Sequence, residues 1–241
     1  MSAALELLRA TKVYGSGHVE VTALAEVTLR VGAGELIAVM GPSGSGKTTM
    51  LALAGGLDHP TSGKVLVEGV DLAAASQAEL AALRRRRIGY VFQQFNLIEG
   101  LTAAENASLP LELDGAGRRQ AREAALRALE LVGMEALADR FPDALSGGEQ
   151  QRVAIARAIV GDRILLLADE PTGALDSITG EAVLRLLRGH CDRGGSGILV
   201  THDARFAAWA DRVVFLRDGR VIDQTDPSTG PDSLLLDPAG R

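Results

Sequence analysis

Three sets of residues in this chain have types and spacing suited to chemistry. The first is Gly41-Pro42-Ser43-Gly44-Ser45-Gly46-Lys47-Thr48, which reads G-x-x-x-x-G-K-T directly after the apolar run Leu36-Ile37-Ala38-Val39-Met40. That order is a P-loop, whose glycines free the backbone to turn successive N–H groups onto one anion. A helix expected from Gly46 through Thr49-Met50-Leu51-Ala52-Leu53-Ala54 aims its N-terminal dipole at the same point. Lys47 adds a charge for β- and γ-phosphates, Thr48 offers a hydroxyl to Mg²⁺, and Thr49 continues the binding turn into the helix. The chemistry is nucleoside triphosphate binding.

The second set is Asp169-Glu170, placed after the apolar run Ile164-Leu165-Leu166-Leu167-Ala168. Carboxylates at the C-terminal end of a buried strand lie where α/β sheets bind ligands. Asp169 suits Mg²⁺ through its water shell, and Glu170, facing the other way along the strand, suits polarising an attacking water. The third is Leu145-Ser146-Gly147-Gly148-Glu149-Gln150. Ser146 and Glu149 form an S-x-x-E capping box, a sufficient account of a helix start. Two glycines in the first turn cost helix stability and a cap does not need them. They would leave bare N–H groups at a positive dipole end, a second anion site.

The elements that must hold these sets alternate. Strands are expected at 5–8 and 27–31 around a polar loop that contains Tyr14, then at 35–40, 64–67 and 88–92, with a helix at 76–86. From 96 to 160 the pattern is helical, with breaks expected at Gly100, Pro110, Gly115 to Gly117, Gly133 and Pro142. Strand and helix return at 164–168, 177–190, 198–200 and 204–210. A final hairpin, 213–217 and 220–222, turns on Asp218-Gly219. The expected fold is α/β: a P-loop core with a mixed sheet, flanking helices and an N-terminal antiparallel β region, carrying an inserted helical subdomain. One domain of residues 1–225 is expected, its core at 1–92 and 162–225, its helical part at 93–161, and a loosely ordered tail at 226–241.

With 46% apolar residues in 241, the chain can fill such a core. Cys191 is the only cysteine, which excludes a disulfide within the chain. A net charge of −6 argues against a surface built to hold nucleic acid, and no nucleic-acid partner is expected. No charged-then-apolar leader opens the chain, so secretion is not expected. The apolar runs are far shorter than the roughly 20 residues a membrane helix needs. The basic block Arg84 to Arg87 reads either as a solvated helix end or as a contact to a partner or to lipid headgroups.

Taken together, Gly41 to Thr48, Leu145 to Gln150 and the run from Ile164 to Asp176 resemble the ATP-binding cassette ATPases over about residues 3–225. The resemblance implies that two cassettes pair head to tail, with Ser146, Gly147, Gly148 and the adjoining Glu149 of one capping the γ-phosphate held by the other. It implies ATP and Mg²⁺ as cofactors. Tyr14 becomes the adenine-stacking aromatic, and Gln93 the residue that touches Mg²⁺ and the attacking water and reports to a membrane subunit. Ala174-Leu175-Asp176 becomes the loop crossing the dimer interface, and His202 the contact to the γ-phosphate. Glu149 departs from the commoner Gln, but its side chain is not needed for Ser146, Gly147 and Gly148 to donate.

Phe92-Gln93-Gln94-Phe95-Asn96-Leu97-Ile98, Leu101 to Asn106 and Pro171 to Asp176 further resemble the cassettes of macrolide-exporter, lipoprotein-releasing and cell-division-associated systems. The implied function is an ATP-hydrolysing subunit that pairs with a second copy of itself and powers a separate permease from the cytoplasmic face of the membrane. Soluble cassettes of nucleic-acid repair or ribosome rescue usually carry a long coiled-coil insertion or two cassettes, and this chain has neither. A non-hydrolysing regulatory cassette would lack a carboxylate or a histidine, and Glu170 and His202 are both present.

Overall fold

Strands with no polar face must be covered on both sides. Three runs here have that character, Leu36–Met40, Leu165–Asp169 and Ser196–Val200. In the computed structural model, which describes residues 3–16 and 19–225, they lie side by side in one sheet. The expected tail at 226–241 lies outside the described residues.

In chain order the elements are β1 (Ala3–Tyr14), β2 (Val21–Gly32), β3 (Leu36–Met40), α1 (Lys47–Ala54), β4 (Ser62–Val67), β5 (Val70–Asp71), α2 (Gln77–Arg86) and β6 (Ile88–Val91). Helices α3 (Ala103–Leu113), α4 (Arg118–Leu131) and α5 (Gly147–Ile159) follow, with short 3₁₀ turns at Glu135–Leu137 and Pro142–Ala144 before the last of them. Then come β7 (Leu165–Asp169), α6 (Ser177–Asp192), β8 (Ser196–Val200), α7 (Ala204–Ala207), β9 (Arg212–Arg217) and β10 (Arg220–Gln224). The six-stranded sheet runs β10-β9-β3-β8-β7-β6, parallel except for β10, and a four-stranded antiparallel sheet runs β2-β1-β4-β5.

Because side chains alternate across a strand, the large sheet divides two cores. Ile37, Val39, Leu165 and Leu167 face a core shared with Met50, Leu51 and Leu53 of α1 and with the antiparallel sheet. Leu36, Leu166, Ala168 and Leu199 face the other, filled by Val153, Ile155 and Ala156 of α5 and by Val183, Leu184 and Leu187 of α6. Removing each such side chain from water contributes about 1.5–3 kcal/mol. Both cores therefore converge on the strands that carry the chemistry.

Several elements differ from their expected bounds for physical reasons. Strands β1 and β2 run 12 residues each, well past 5–8 and 27–31, because backbone pairing continues through polar residues that face solvent. Register shifts accommodate this, with Arg9 at φ 49° and Glu26 at φ 52°. Tyr14 consequently ends a strand instead of lying in a loop. Pro110 does not break the chain but sits inside α3. It removes one backbone bond, to the Asn106 carbonyl, while the packing of Ala103, Ala104 and Ala107 retains the helix.

The basic block is occupied within the chain. Arg84 donates to the Gly56 carbonyl at 2.5 Å, Arg85 and Arg86 share Asp114 at 3.6 and 2.7 Å, and Arg87 grips Glu68 through bonds of 2.8–2.9 Å. Arg86 and Arg87 keep exposed side chains at this helix end while making these pairs.

The connection from β6 to α3 is pinned by fully buried Asn106. Its Oδ1 accepts from Ile98 N–H at 2.8 Å, and its Nδ2 donates to the carbonyls of Ile98, Leu101 and Thr102 at 2.9–3.1 Å. Asn106→Ala should lower stability by about 2–4 kcal/mol, since several buried groups lose their partners together. Urea unfolding checks this, and a loss below about 0.5 kcal/mol would show that water replaces the side chain at no cost.

Candidate functional site

The loop between β3 and α1 is pressed against its neighbours. Gly41 (φ 154°) and Gly46 (φ 104°) hold backbone conformations that L side chains rarely adopt. A Cβ at Gly41 would stand 2.0 Å from the Leu216 carbonyl oxygen, and one at Gly46 would stand 2.4 Å from that of Ala23. Gly46 also caps α1 without any side-chain acceptor, so the first N–H groups of the helix are left for a ligand. Ser45 is buried and its Oγ has no hydrogen-bond partner. An orphaned buried hydroxyl is costly, and a phosphate oxygen is a fitting acceptor. Lys47 Nζ folds back to donate to the carbonyls of Gly41 and Pro42, both at 2.8 Å.

Parallel register decides what faces this loop. Val39 pairs with Val200, and Val200 with Asp169, so the end of β7 stands level with the last turns before the loop. Thr48 Oγ1 donates to Asp169 Oδ2 at 2.8 Å. Asp169 is 3% exposed, and burial holds its pKa above the ordinary carboxylate value, against the pull of the Thr48 hydrogen bond. Glu170 follows at φ 48°, its N–H bonded to the Val200 carbonyl at 3.0 Å. This left-handed turn, rather than simple strand alternation, separates the two carboxylates. Such a conformation at a residue with a Cβ costs on the order of 1–3 kcal/mol.

Glu170 Oε1 lies 2.9 Å from Nδ1 of His202, whose side chain is 78% exposed. That hydrogen bond, with the carboxylate charge, raises the imidazole pKa. Tyr14, 42% exposed, donates from Oη to Asp58 at 3.0 Å, and Lys12 Nζ stands 4.9 Å from its ring. Thr49 at the start of α1 also acts on the Tyr14 hydroxyl, so the ring stands beside the P-loop helix.

The Ser146 segment lies apart. Ser146 caps α5 through both halves of the capping box: Glu149 N–H donates to Ser146 Oγ at 3.4 Å, and the Glu149 carboxylate accepts from Ser146 N–H at 2.7 Å. Neither Gly147 nor Gly148 uses a left-handed conformation. A Cβ on Gly147 would meet the Phe95 ring at 3.7 Å, and one on Gly148 the Ala174 carbonyl at 3.3 Å, with no P-loop atom nearby. Gln93 follows β6, exposed and without a side-chain hydrogen bond among the described residues.

The structure thus gathers Ser45, Lys47, Thr48, Asp169, Glu170 and His202, sets Tyr14 beside them, carries Gln93 just past the end of β6, the strand paired with β7, and holds Ser146 to Glu149 against Phe95 and Ala174. Sequence reasoning missed the side chains that hold the intervening loops, Asn106, Arg157 and Gln150. A polar residue on an otherwise apolar helix stripe was the available signal for Asn106. Nothing in the spacing marks the other two.

The ABC transporter family profile matches residues 24–173. The chain belongs to that family. An ABC transporter ATP-binding protein from Methanocaldococcus jannaschii, MJ0796, is 46% identical over 222 residues, covering 90% of this chain and 94% of that protein. A macrolide export ATP-binding/permease protein, MacB, from Rhodospirillum rubrum is 45% identical over 98% of this chain. The chain spans 37% of that relative's length. A dimeric, post-hydrolysis structure of the MJ0796 cassette bound to ADP and Pi superposes with a TM-score of 0.89 at 42% identity, over 92% of this chain and 98% of that one.

Asp169 carries a pH-dependent cost. Its carboxyl is harder to ionise folded than unfolded, so stability falls as pH rises from the ordinary value of 3.8 through the raised one, and the cost is fully present above it. Asp169→Asn keeps an acceptor for Thr48 and removes the charge. Without nucleotide its Tm should rise near neutral pH by roughly 2–4 °C, the shift about 1 kcal/mol produces in a chain of this size. Calorimetry should show the gain vanishing below about pH 3.8, and an unchanged or lowered Tm at neutral pH would refute the buried-charge account.

Proposed function

We propose that this cassette hydrolyses ATP in a head-to-tail pair with a second copy of itself and so drives a membrane permease. One observation carries the reading. Thr48 of the P-loop bonds Asp169 of the same chain, whereas the groups nearest Gly147 and Gly148 at the start of α5 are the Phe95 ring and the Ala174 carbonyl, with no P-loop atom within 4 Å of a Cβ there. A donor surface so placed serves another molecule's anion. The dimeric structure of its relative MJ0796, bound to ADP and Pi, supports the pairing.

In this reading residues Gly41 to Thr49 hold the triphosphate through backbone N–H groups, with Ser45 Oγ gaining its missing acceptor and Lys47 moving from its own carbonyls to the β- and γ-phosphates. Thr48 and Asp169 would hold Mg²⁺. No group of three or more acidic, His or Cys ligands exists among the described residues, which suits an ion that takes one or two protein oxygens and completes its shell with phosphate and water. When bound, that ion neutralises charge on the phosphates. Glu170 takes a proton from the attacking water, His202 orients the carboxylate and meets the γ-phosphate, Gln93 completes the shell from the β6 loop, and Tyr14 stacks on the adenine. Ser146, Gly147 and Gly148 of the second copy, fixed by Glu149, cap the γ-phosphate.

The permease reading rests on the family and on the permease named in relatives such as MacB. No helix among the described residues is long and apolar enough to cross a membrane. The permease-bearing relatives support placing the cassette at the cytoplasmic face of the membrane. A groove of about 710 Å³ between the loop after Gln93 and the start of α5, lined by Gln94, Phe95, Leu97, Pro142 and Gln150, offers that partner contact with both motifs.

Glu170→Gln removes the base but keeps a hydrogen-bond acceptor. Turnover should fall by roughly 10²-fold or more, while Mg-ATP binding survives and converts the protein to a dimer. Light scattering with ATP, with ADP and without nucleotide tests this. Adding Ser146→Arg should abolish the ATP-dependent dimer and leave monomer binding intact. A monomer in all three conditions with wild-type turnover would assign the base elsewhere.

A further inference from the structure

The loop from β6 to α3 carries Gln93 and is held at two places. Asn106 secures its far end, as described above. Nearer Gln93, Phe95 (φ 28°) and Asn96 (φ 53°) both take left-handed backbone conformations, and Asn96 N–H closes back on the Gln94 carbonyl. Two such residues in succession, neither of them glycine, persist only where the surroundings over-determine them.

What holds the bend is Arg157, near the C-terminal end of α5. Its Nη2 donates to the Phe95 carbonyl at 2.8 Å and its Nη1 to the Asn96 carbonyl. No carboxylate pairs with it among the described residues, and burial pulls its pKa down to about 10. A partly buried guanidinium without a counter-ion is a poor device for stability. Its two hydrogen bonds go to the one segment whose backbone needs restraint. At the other end of the same helix Gly147 lies against the Phe95 ring, so α5 touches this bend from both ends.

We propose that Arg157 is a positioning residue for hydrolysis: by holding the Phe95-Asn96 bend against α5 it sets where Gln93 stands when the second cassette closes. The proposal rests on the role assigned to Gln93 above. It makes α5 the link between the two sites of the pair, since the helix that offers Ser146 to one nucleotide also places Gln93 beside the other. A lysine would not replace Arg157, because its single ammonium on a flexible stem lacks the rigid fork in which Nη1 and Nη2 each meet one carbonyl.

The test is a double-mutant cycle in the full chain, with Arg157→Met, Arg157→Lys, Gln93→Ala and the Gln93→Ala/Arg157→Met pair. Arg157→Met should fold with a Tm within a few degrees of wild type, bind a fluorescent ATP analogue as a monomer with unchanged affinity, and lose about 10-fold or more in kcat with little change in KM. Arg157→Lys should recover little of that loss. The double variant should be no slower than Gln93→Ala alone, because both changes remove one function. If losses multiply, or if Arg157→Met keeps wild-type kcat, the proposal is overturned. Should Arg157→Met fail to fold, Arg157→Lys takes its place in the cycle with the same criterion. Wild-type turnover in Gln93→Ala would overturn the role of Gln93 itself, and is read from that single variant, separately from the behaviour of Arg157.

Discussion

A carboxylate buried at the end of a strand and hydrogen-bonded to a hydroxyl constrains the rest of this molecule. Asp169 is 3% exposed and bonded to Thr48, and among the described residues no cation forms an ion pair with it. Placing a charge there is unfavourable until a cation arrives. The fold tolerates this because β7 and its neighbours β8 and β6 are locked by two cores, one on each face. Stability gathered in apolar strands thus offsets, near their C-terminal ends, the costs of buried Asp169, of Glu170 in its left-handed conformation and of Ser45 Oγ without a hydrogen-bond partner.

The same logic governs the signature helix. Its apolar residues Val153, Ile155 and Ala156 anchor it in the second core, and its N-terminal turn is satisfied by a capping box, so the helix needs nothing more from its own chain. Gly147 and Gly148 then remain as a donor surface directed outward. Gly148 also has a local duty, since a side chain there would crowd the Ala174 carbonyl at 3.3 Å.

Between these two regions runs the loop after β6, where polar side chains replace apolar packing as the means of restraint. Asn106 and Arg157 reach backbone carbonyls that no strand or helix satisfies. Buried backbone groups must find partners, and here the helices supply them by side chain. The loop is thereby fastened to helices α3 and α5 by directional contacts, while the apolar residues of α5 join the helical part to the sheet.

The P-loop, the Asp169-Glu170 pair and the Ser146 cap were legible in the sequence because each depends on neighbours within a few positions, through glycine conformations, strand alternation and the i to i+3 reach of a capping box. Strand β3, the Gln77–Arg86 helix and the final hairpin were legible for the same reason. The length of β1 and β2 was not, because backbone pairing across polar, solvent-facing residues leaves no periodicity. Pro110 misled for a related cause: local preference argues for a break, and only packing on α4 and α5 overrides it. The occupied basic block, the Thr48 to Asp169 bond and the grip of Arg157 on Phe95 and Asn96 join residues far apart in the chain. Local spacing determined which chemistry this protein carries. The tertiary structure alone decided which groups meet and which face outward, because contacts at long sequence separation depend on sheet register and helix packing that no local pattern encodes.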